Sequence, residues 1–349
     1  MKKNQLIPAI FPRSLDWNLQ PYAVGGLLYT PALHPHIAQR ILERSIPFLQ
    51  SLVLCLEDAI DDSAVQKAEA MLPQTFEILH RAVESGAFPL QELPFLFVRV
   101  RTPAQLSRIA SHPVCRSLLT GFVLPKFSSQ NMNAYFDAFS SIPPSASPSL
   151  RLMPTLESPD IASIFTRSDA LQHIYQALQP FRRHILNIRV GGNDFCHLFH
   201  VRRHVEETIY DILPVHDILS DILNVFSSDY IVSGPVWEYF STHSDDTLWQ
   251  EGLWRELALD QLNGFVGKTA IHPAQLPVIR QAMQVSSGDY QDAQNILCWQ
   301  NDRLLGVGKS TDGNRMNERN VHHNWASKIQ NLAAVYGIQK NERGNPHGA

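Results

Sequence analysis

No stretch of this 349-residue chain approaches the roughly 20 consecutive apolar residues of a membrane span. Lys2 and Lys3 stand near the start, but Pro8, Pro12, Arg13 and Asp16 interrupt any apolar leader core. Cysteine is scarce. Cys55, Cys115, Cys196 and Cys298 show neither a CxxC pair nor framework spacing, which suits free thiols in a reducing compartment. There is no excess of positive charge either: the net charge is −4 with both signs dispersed, and basic residues do not alternate with aromatics. That pattern leaves no nucleic-acid footprint. No serine or cysteine stands in the setting of an activated nucleophile. The expectation is a cytoplasmic protein that meets no membrane and no nucleic acid.

What is present is a series of short apolar segments that end in polar or charged residues. They are GLLYTPA (26–32), SLVLCLEDA (51–59), FLFVRVR (95–101), GFVLPKF (121–127), RLMPTLES (151–158), ILNIRVGGND (185–194), YIVSG (230–234) and FVGKTAIHP (265–273). Helix-length stretches separate most of them. Eight strands alternating with helices specify an α/β protein, a (β/α)₈ TIM barrel, of about 250 residues. The expected organisation is an arm over 1–24, the barrel over 25–285, a C-terminal helical extension or lid over 286–340 and a disordered tail over 341–349. Helical patterns are expected at about 63–85, 203–226, 246–262, 274–302 and 318–336. Thr102 before Pro103 reads as a helix N-cap.

Such barrels do their chemistry at the C-terminal ends of the strands. Those ends carry Glu57, Asp58, Arg99, Lys126, Glu157 and Asp194. Glu157 and Asp194 end adjacent strands, and two carboxylates with waters suit Mg²⁺. The bland alternative is that each caps a helix or pairs with an arginine. Arg99 has its own bland reading, an ion pair with Glu57 or Asp58. Arg101 shares strand parity with Arg99, so it points inward to read a carboxylate or phosphate, or else lies in the loop. Lys126 reads as an anion-binding or structural lysine rather than a Schiff-base nucleophile.

Three patterns imitate sites. GVGKST (306–311) and GFVGKT (264–269) contain GK[ST], but Arg303 and Leu262 stand where a phosphate loop needs glycine. Only a simple phosphate contact by Lys268 or Lys309 is left to them. His197, His200 and His204 fall at helical spacing and offer a weak transition-metal site amid Arg202, Arg203, Glu206 and Glu207. His272 before Pro273 reads as stabilising a turn.

The ordered segments LLYTPA, LVLCLEDAI, FVRV, GFVLPKFSS, MPTLES, VGGNDF and GKTAIHPAQLPVI resemble the HpcH/HpaI aldolase and citrate lyase β-subunit family. The resemblance spans about 26–280 and is strongest to the divergent branch of C–C bond lyases of TIM-barrel fold found with tellurite-resistance-type genes. It implies metal-assisted cleavage or formation of a bond between a 2-oxo acid and an enolate, the enolate partner in better-known relatives being an acyl-CoA thioester. It implies Mg²⁺ on Glu157 and Asp194, and Arg99 stabilising the enolate oxygen. Glu57 and Asp58 match the LED segment and Lys126 the LPK lysine. A homo-oligomer, trimer or hexamer, is implied as well. The departures are Gly25-Gly26 in place of Arg-Ser, Cys55 in place of an aspartate, Arg101 in place of an asparagine, and no aspartate in SGPVWEYF. The general acid or base is left open between a metal-bound water and a residue such as Glu318. Two alternatives accompany this reading: an aldolase for a phosphorylated or nucleotide-like substrate, and a non-catalytic barrel that binds a metabolite or partner.

Overall fold

The computed structural model describes residues 10–143, 150–243, 245–299 and 305–339. The expected tail at 341–349 lies outside them, as do residues 1–9 of the expected arm. The chain divides into two compact units, Met1–Ile279 and Arg280–Ala349.

Among its described residues the first unit holds seven strands: β1 Gly26–Pro31, β2 Ser51–Cys55, β3 Phe95–Arg99, β4 Gly121–Leu124, β5 Arg151–Leu156, β6 Arg189–Val190 and β7 Lys268–Ala270. They form one sheet in the order β6-β5-β4-β3-β2-β1-β7, and every pairing is parallel. The segment YIVSG takes the eighth place. Parallel bridges Ile188–Val232 and Gly234–Lys268 set it between β6 and β7 and so close the ring. The expected α/β barrel is therefore the observed fold.

Helices follow the strands. They are α1 Gln20–Ala23, α2 Ile37–Leu42, α3 Val65–Glu84, α4 Pro103–Ser111, α5 Pro113–Leu118 and α6 Met132–Ser140. After β5 come α7 Pro159–Ala162, α8 Arg167–Leu178, α9 Gly192–Leu198, α10 Leu213–Phe226, α11 Leu248–Asn263 and α12 Gln275–Ala282. Thr102 caps α4 by accepting a hydrogen bond from the Gln105 amide, with Pro103 at the first helical position. Helix α10 buries Val215, Ile218, Leu219, Ile222 and Phe226, a 3.6-residue stripe worth roughly 1.5–3 kcal/mol per side chain removed from water. Strand β2 is buried along its whole length, as a parallel strand covered on both faces must be.

Helix α11 differs. Glu256 and Asp260, one turn apart, are fully buried in it. The Lys268 ammonium forms an ion pair with Glu256 at 2.8 Å and donates to Asp260 at 2.7 Å, and Arg203 pairs with Glu256 at 2.9 Å. Tyr210 adds a hydroxyl to Asp260 at 2.7 Å. Lys268 is thus enclosed with carboxylates and is no phosphate contact. Sequence periodicity alone also misplaces two helices. The pattern over 203–226 becomes helical only from Leu213, and the one over 274–302 is split where Ser286 caps a new helix.

The second unit contains α13 Ser287–Leu297, a short antiparallel pair of β8 Val307–Lys309 with β9 Met316–Glu318, and α14 His323–Tyr336. Ala293, Ile296 and Ala326 form its small core, with Trp325 and Ile329 packed on it. Among the described residues no helix is long and apolar enough to cross a membrane.

Candidate active site

The ends of β2, β3 and β4 bring Glu57, Asp58, Arg99 and Lys126 into one charge cluster. Arg99, the last residue of β3, forms an ion pair through Nη2 with Glu57 at 3.1 Å and donates from the same nitrogen to Asp58 at 3.3 Å. Its Nε donates to the Cys55 sulfur at 3.2 Å, and its guanidinium lies 5.2 Å from the centre of the Tyr29 ring. Lys126 contacts Glu57 closely and Asp58 at 3.2 Å. The two cations therefore share the same two carboxylates. Burial pulls the Arg99 pKa down, but Cys55, Tyr29 and Glu57 more than offset this and hold it above its ordinary value. At Lys126 burial again pulls down, and the hydrogen bond and charge of Glu57 together with Asp58 win, so the ammonium stays protonated. Burial raises the Asp58 carboxyl, while its neighbour Glu57 and the charges of Arg99 and Lys126 lower it further, so it sits below the usual range.

Lys126 has a φ of 47°, the left-handed region. A non-glycine residue there costs roughly 1–3 kcal/mol. The conformation aims its amide at Glu157 Oε1, 2.8 Å away, while its side chain turns to Glu57 and Asp58. One strained residue thus ties the cation cluster to the next strand end.

Glu157 follows β5 and is 4% exposed. It does not cap the short α7, whose N-cap is Ser158. Burial and then the charge of Asp194 push its carboxyl up to about 8. Asp194, in the first turn of α9, is raised as well, by burial first and then by Asp58, against the pull of Lys126 and a hydrogen bond with Glu157. Two carboxyls in contact, one of them buried, cannot both hold a negative charge cheaply. A Cβ on Gly191 would stand 2.0 Å from Glu157 Oε2, so only glycine lets that carboxylate occupy its place.

This donor set fits Mg²⁺, which takes oxygen ligands, is held by one or two carboxylates and keeps several waters. It does not fit a closed zinc site. Among the described residues no three or more His, Cys, Asp or Glu side chains converge on one point. The trio His197, His200 and His204 fails because α9 ends at Leu198 and His200 turns to a φ of 58°, which destroys the helical spacing.

Arg101 is engaged elsewhere. Its Nε donates to the Leu56 carbonyl at 2.6 Å, its Nη2 to the carbonyls of Glu57 (3.2 Å) and Ile60, and its Nη1 pairs with Asp62. It braces the loop that presents Glu57 and Asp58. His272 accepts from the Ala274 amide at 3.2 Å and stacks on Phe240, which fixes the turn after β7. Tyr29 and Cys55 are site residues that the strand-end reading did not single out. Their signal was inward parity with the charged ends, Cys55 lying two residues before Glu57.

A parallel barrel whose C-terminal rim carries a carboxylate pair, Glu157 buried and Asp194 half-buried, beside two paired cations has the make-up of a barrel enzyme. The chain matches the family described as C–C bond lyase of the TIM-barrel fold over residues 18–338, and it belongs to that family. It is thereby a carbon–carbon lyase. No curated protein matches it. Among solved structures it is similar to CitE from Mycobacterium tuberculosis in complex with magnesium, acetoacetate and coenzyme A. The identity there is 19% and the TM-score 0.57, over 90% of this chain and 99% of that one. The same organism's CitE with magnesium and pyruvate gives 20% and 0.51, covering 76% and 92%. Its citrate lyase β subunit with oxaloacetate and magnesium gives 20% and 0.50, covering 76% and 98%. At such identities the likeness is one of fold.

Proposed function

We propose that this lyase cleaves or forms the bond between a 2-oxo acid and an enolate, with Mg²⁺ held by Glu157 and Asp194. The observation that carries the reading is the pairing of buried Glu157 with half-buried Asp194, joined through the Lys126 amide to the Arg99–Lys126 cluster. The magnesium, acetoacetate and coenzyme A named for the similar CitE complex agree with it.

A bound dication would supply Lewis-acid polarisation of the 2-oxo acid. The rest falls to the chain's own residues. In cleavage, a 3-hydroxyl passes its proton to a water at the rim and its electron pair closes a new carbonyl. The adjacent C–C bond breaks, and that pair moves onto the acyl oxygen as an enolate. Arg99 is assigned to that oxygen. Glu57 and Asp58 hold its guanidinium in one orientation before the charge develops, which is what makes a fixed cation effective. Lys126 adds a second positive charge, and Arg101 acts through the loop rather than on substrate. The phosphorylated-aldol alternative needs Arg101 and Lys126 as free anion readers, and both are engaged with carboxylates.

A cytoplasmic homo-oligomer, trimer or hexamer, completes the proposal. Truncation after Leu297 is expected to lower the mass seen by light scattering, and an unchanged mass would count against it. Calorimetric titration with Mg²⁺ tests the site itself. The wild type should bind, and Glu157→Ala and Asp194→Ala should each lose binding. Equal binding by all three would sink the assignment.

A further inference from the structure

Arg189 on β6 is 1% exposed, yet its Nε and Nη1 have no hydrogen-bond partner. Its Nη2 donates to Thr269 Oγ1 on β7, and it is hydrogen bonded to Tyr29 on β1. Reaching both strands from β6 takes its side chain through the barrel interior. No carboxylate pairs with it among the described residues. Four other enclosed guanidinium groups are better supplied. Arg203 has Glu256, Arg167 has Asp221 and two carbonyls, Arg99 has Glu57 and Asp58, and Arg151, which has no carboxylate, donates to the Arg183 carbonyl and to Gln20. Burial accordingly pulls the Arg189 pKa down, and only neutral Tyr29 pulls it back.

Its depth matters. Arg189 is paired in register with Thr155, two residues before Glu157 on the same face of β5. The guanidinium therefore sits one inward-facing layer beneath the carboxylate pair. Thr155 Oγ1 and Asn187 Oδ1, on the same inward layers, also lack partners. Half-buried Tyr29 links this layer to the rim, since it faces Arg99 as well as Arg189. A buried charge without a counter-ion is costly to keep, and a guanidinium with unpartnered donors at Nε and Nη1 calls for an anion such as a carboxylate.

We infer that Arg189 binds a carboxylate of the substrate, so that the acid end of the molecule points down the barrel axis and its reacting carbon lies at the Glu157–Arg99 rim. This rests on the proposed 2-oxo acid reading for the identity of the ligand, and on the unpartnered Nε and Nη1 of the guanidinium for the site. It makes Arg189 a specificity-determining residue: neutral analogues of the acid end are rejected because they leave the charge uncompensated.

The test is calorimetric titration of the full chain with acetate, pyruvate and oxaloacetate, with and without Mg²⁺. Wild type is compared with Arg189→Met and Arg189→Lys, and each variant is melted. Arg189→Met should keep wild-type Mg²⁺ affinity and melt no lower than wild type, while binding the carboxylates at least tenfold more weakly. Arg189→Lys should fall between the two. In turnover, KM for the acid should rise. Unchanged carboxylate affinity in either variant overturns the inference, as does a wild type that binds none of the three. A lowered melting temperature with unchanged affinity would mark Arg189 as structural. Should Arg189→Met not fold, Arg189→Lys alone decides. Mg²⁺-dependent turnover indifferent to Arg189 removes this inference and leaves the proposed function. Carboxylate binding that needs Arg189 but neither Mg²⁺ nor turnover removes the function and leaves the site.

Discussion

Gly191→Ala is the smallest change that should disable the carboxylate pair. The added methyl would lie 2.0 Å from Glu157 Oε2 and 2.4 Å from its Cβ, far inside van der Waals contact. The Gly191 backbone has a φ of −92°, which alanine tolerates, so the effect is one of space and not of conformation. Glu157 is enclosed and tethered to the Lys126 amide, so it must swing off that bond or push β5 outward. Overpacking of this kind costs about 1–3 kcal/mol. Loss of ligand orientation weakens metal binding by about 10–100-fold. The assays are thermal melting and calorimetric Mg²⁺ titration. The expected result is a folded protein that melts a few degrees lower and binds Mg²⁺ more weakly by that factor. Wild-type Mg²⁺ affinity in a folded Gly191→Ala protein would show that Glu157 is not the ligand its enclosure suggests.

Four further outcomes follow from the same geometry. Lys268→Met leaves Glu256 and Asp260 enclosed without their shared cation, so denaturant melts should show a loss of about 3–5 kcal/mol; a loss under 1 kcal/mol would contradict the network. Arg99→Ala should lower kcat by about 10²–10³ while Mg²⁺ affinity holds, and a fall in Mg²⁺ affinity with kcat intact would reverse its assigned role. Arg101→Ala should speed hydrogen exchange over residues 56–62, where the wild type is braced by four contacts, and unchanged exchange would refute the brace. Glu157 titrates in the folded, metal-free protein at about 8, above its unfolded value, so its contribution to stability is full below about pH 4.5 and is lost as pH rises through about 8. Mg²⁺ competes with that proton and should bind more tightly over the same rise, whereas Glu157→Gln should flatten both slopes.

The barrel was legible because buried parallel strands are continuous apolar runs with polar stops, as in SLVLC and FLFVR. The sixth and seventh strands were less so. Around them the backbone ladder is short and side chains supplement it: Asn187 donates to Ser233 and Ser233 to the Val266 carbonyl, with isolated bridges where a strand was expected. The charged strand ends were legible as a set, since fold geometry gathers them. Their division of labour was not, because Arg99 and Arg101 share parity while only contacts across β2 decide which one braces and which one faces the rim. The Arg203–Glu256–Lys268–Asp260 network escaped notice for a similar reason. Its members lie 53 residues apart in the chain at the widest hydrogen-bonded step. The available signal was a pair of acids one turn apart, set among Leu253 and Leu257. Arg189 carried a plainer signal, a lone charge inside ILNIRV, whose meaning depended on the absence of a partner that only the fold reveals.

The central claim is tested most directly by turnover. Malyl-, citramalyl-, citryl- and methylmalyl-CoA are offered to the wild type and to Glu157→Ala, with and without Mg²⁺, and release of the 2-oxo acid is followed. The account expects cleavage of at least one thioester that needs Mg²⁺ and disappears in the variant. Cleavage that persists without Mg²⁺ or in Glu157→Ala, or silence across the panel from a wild type that binds Mg²⁺, would contradict it.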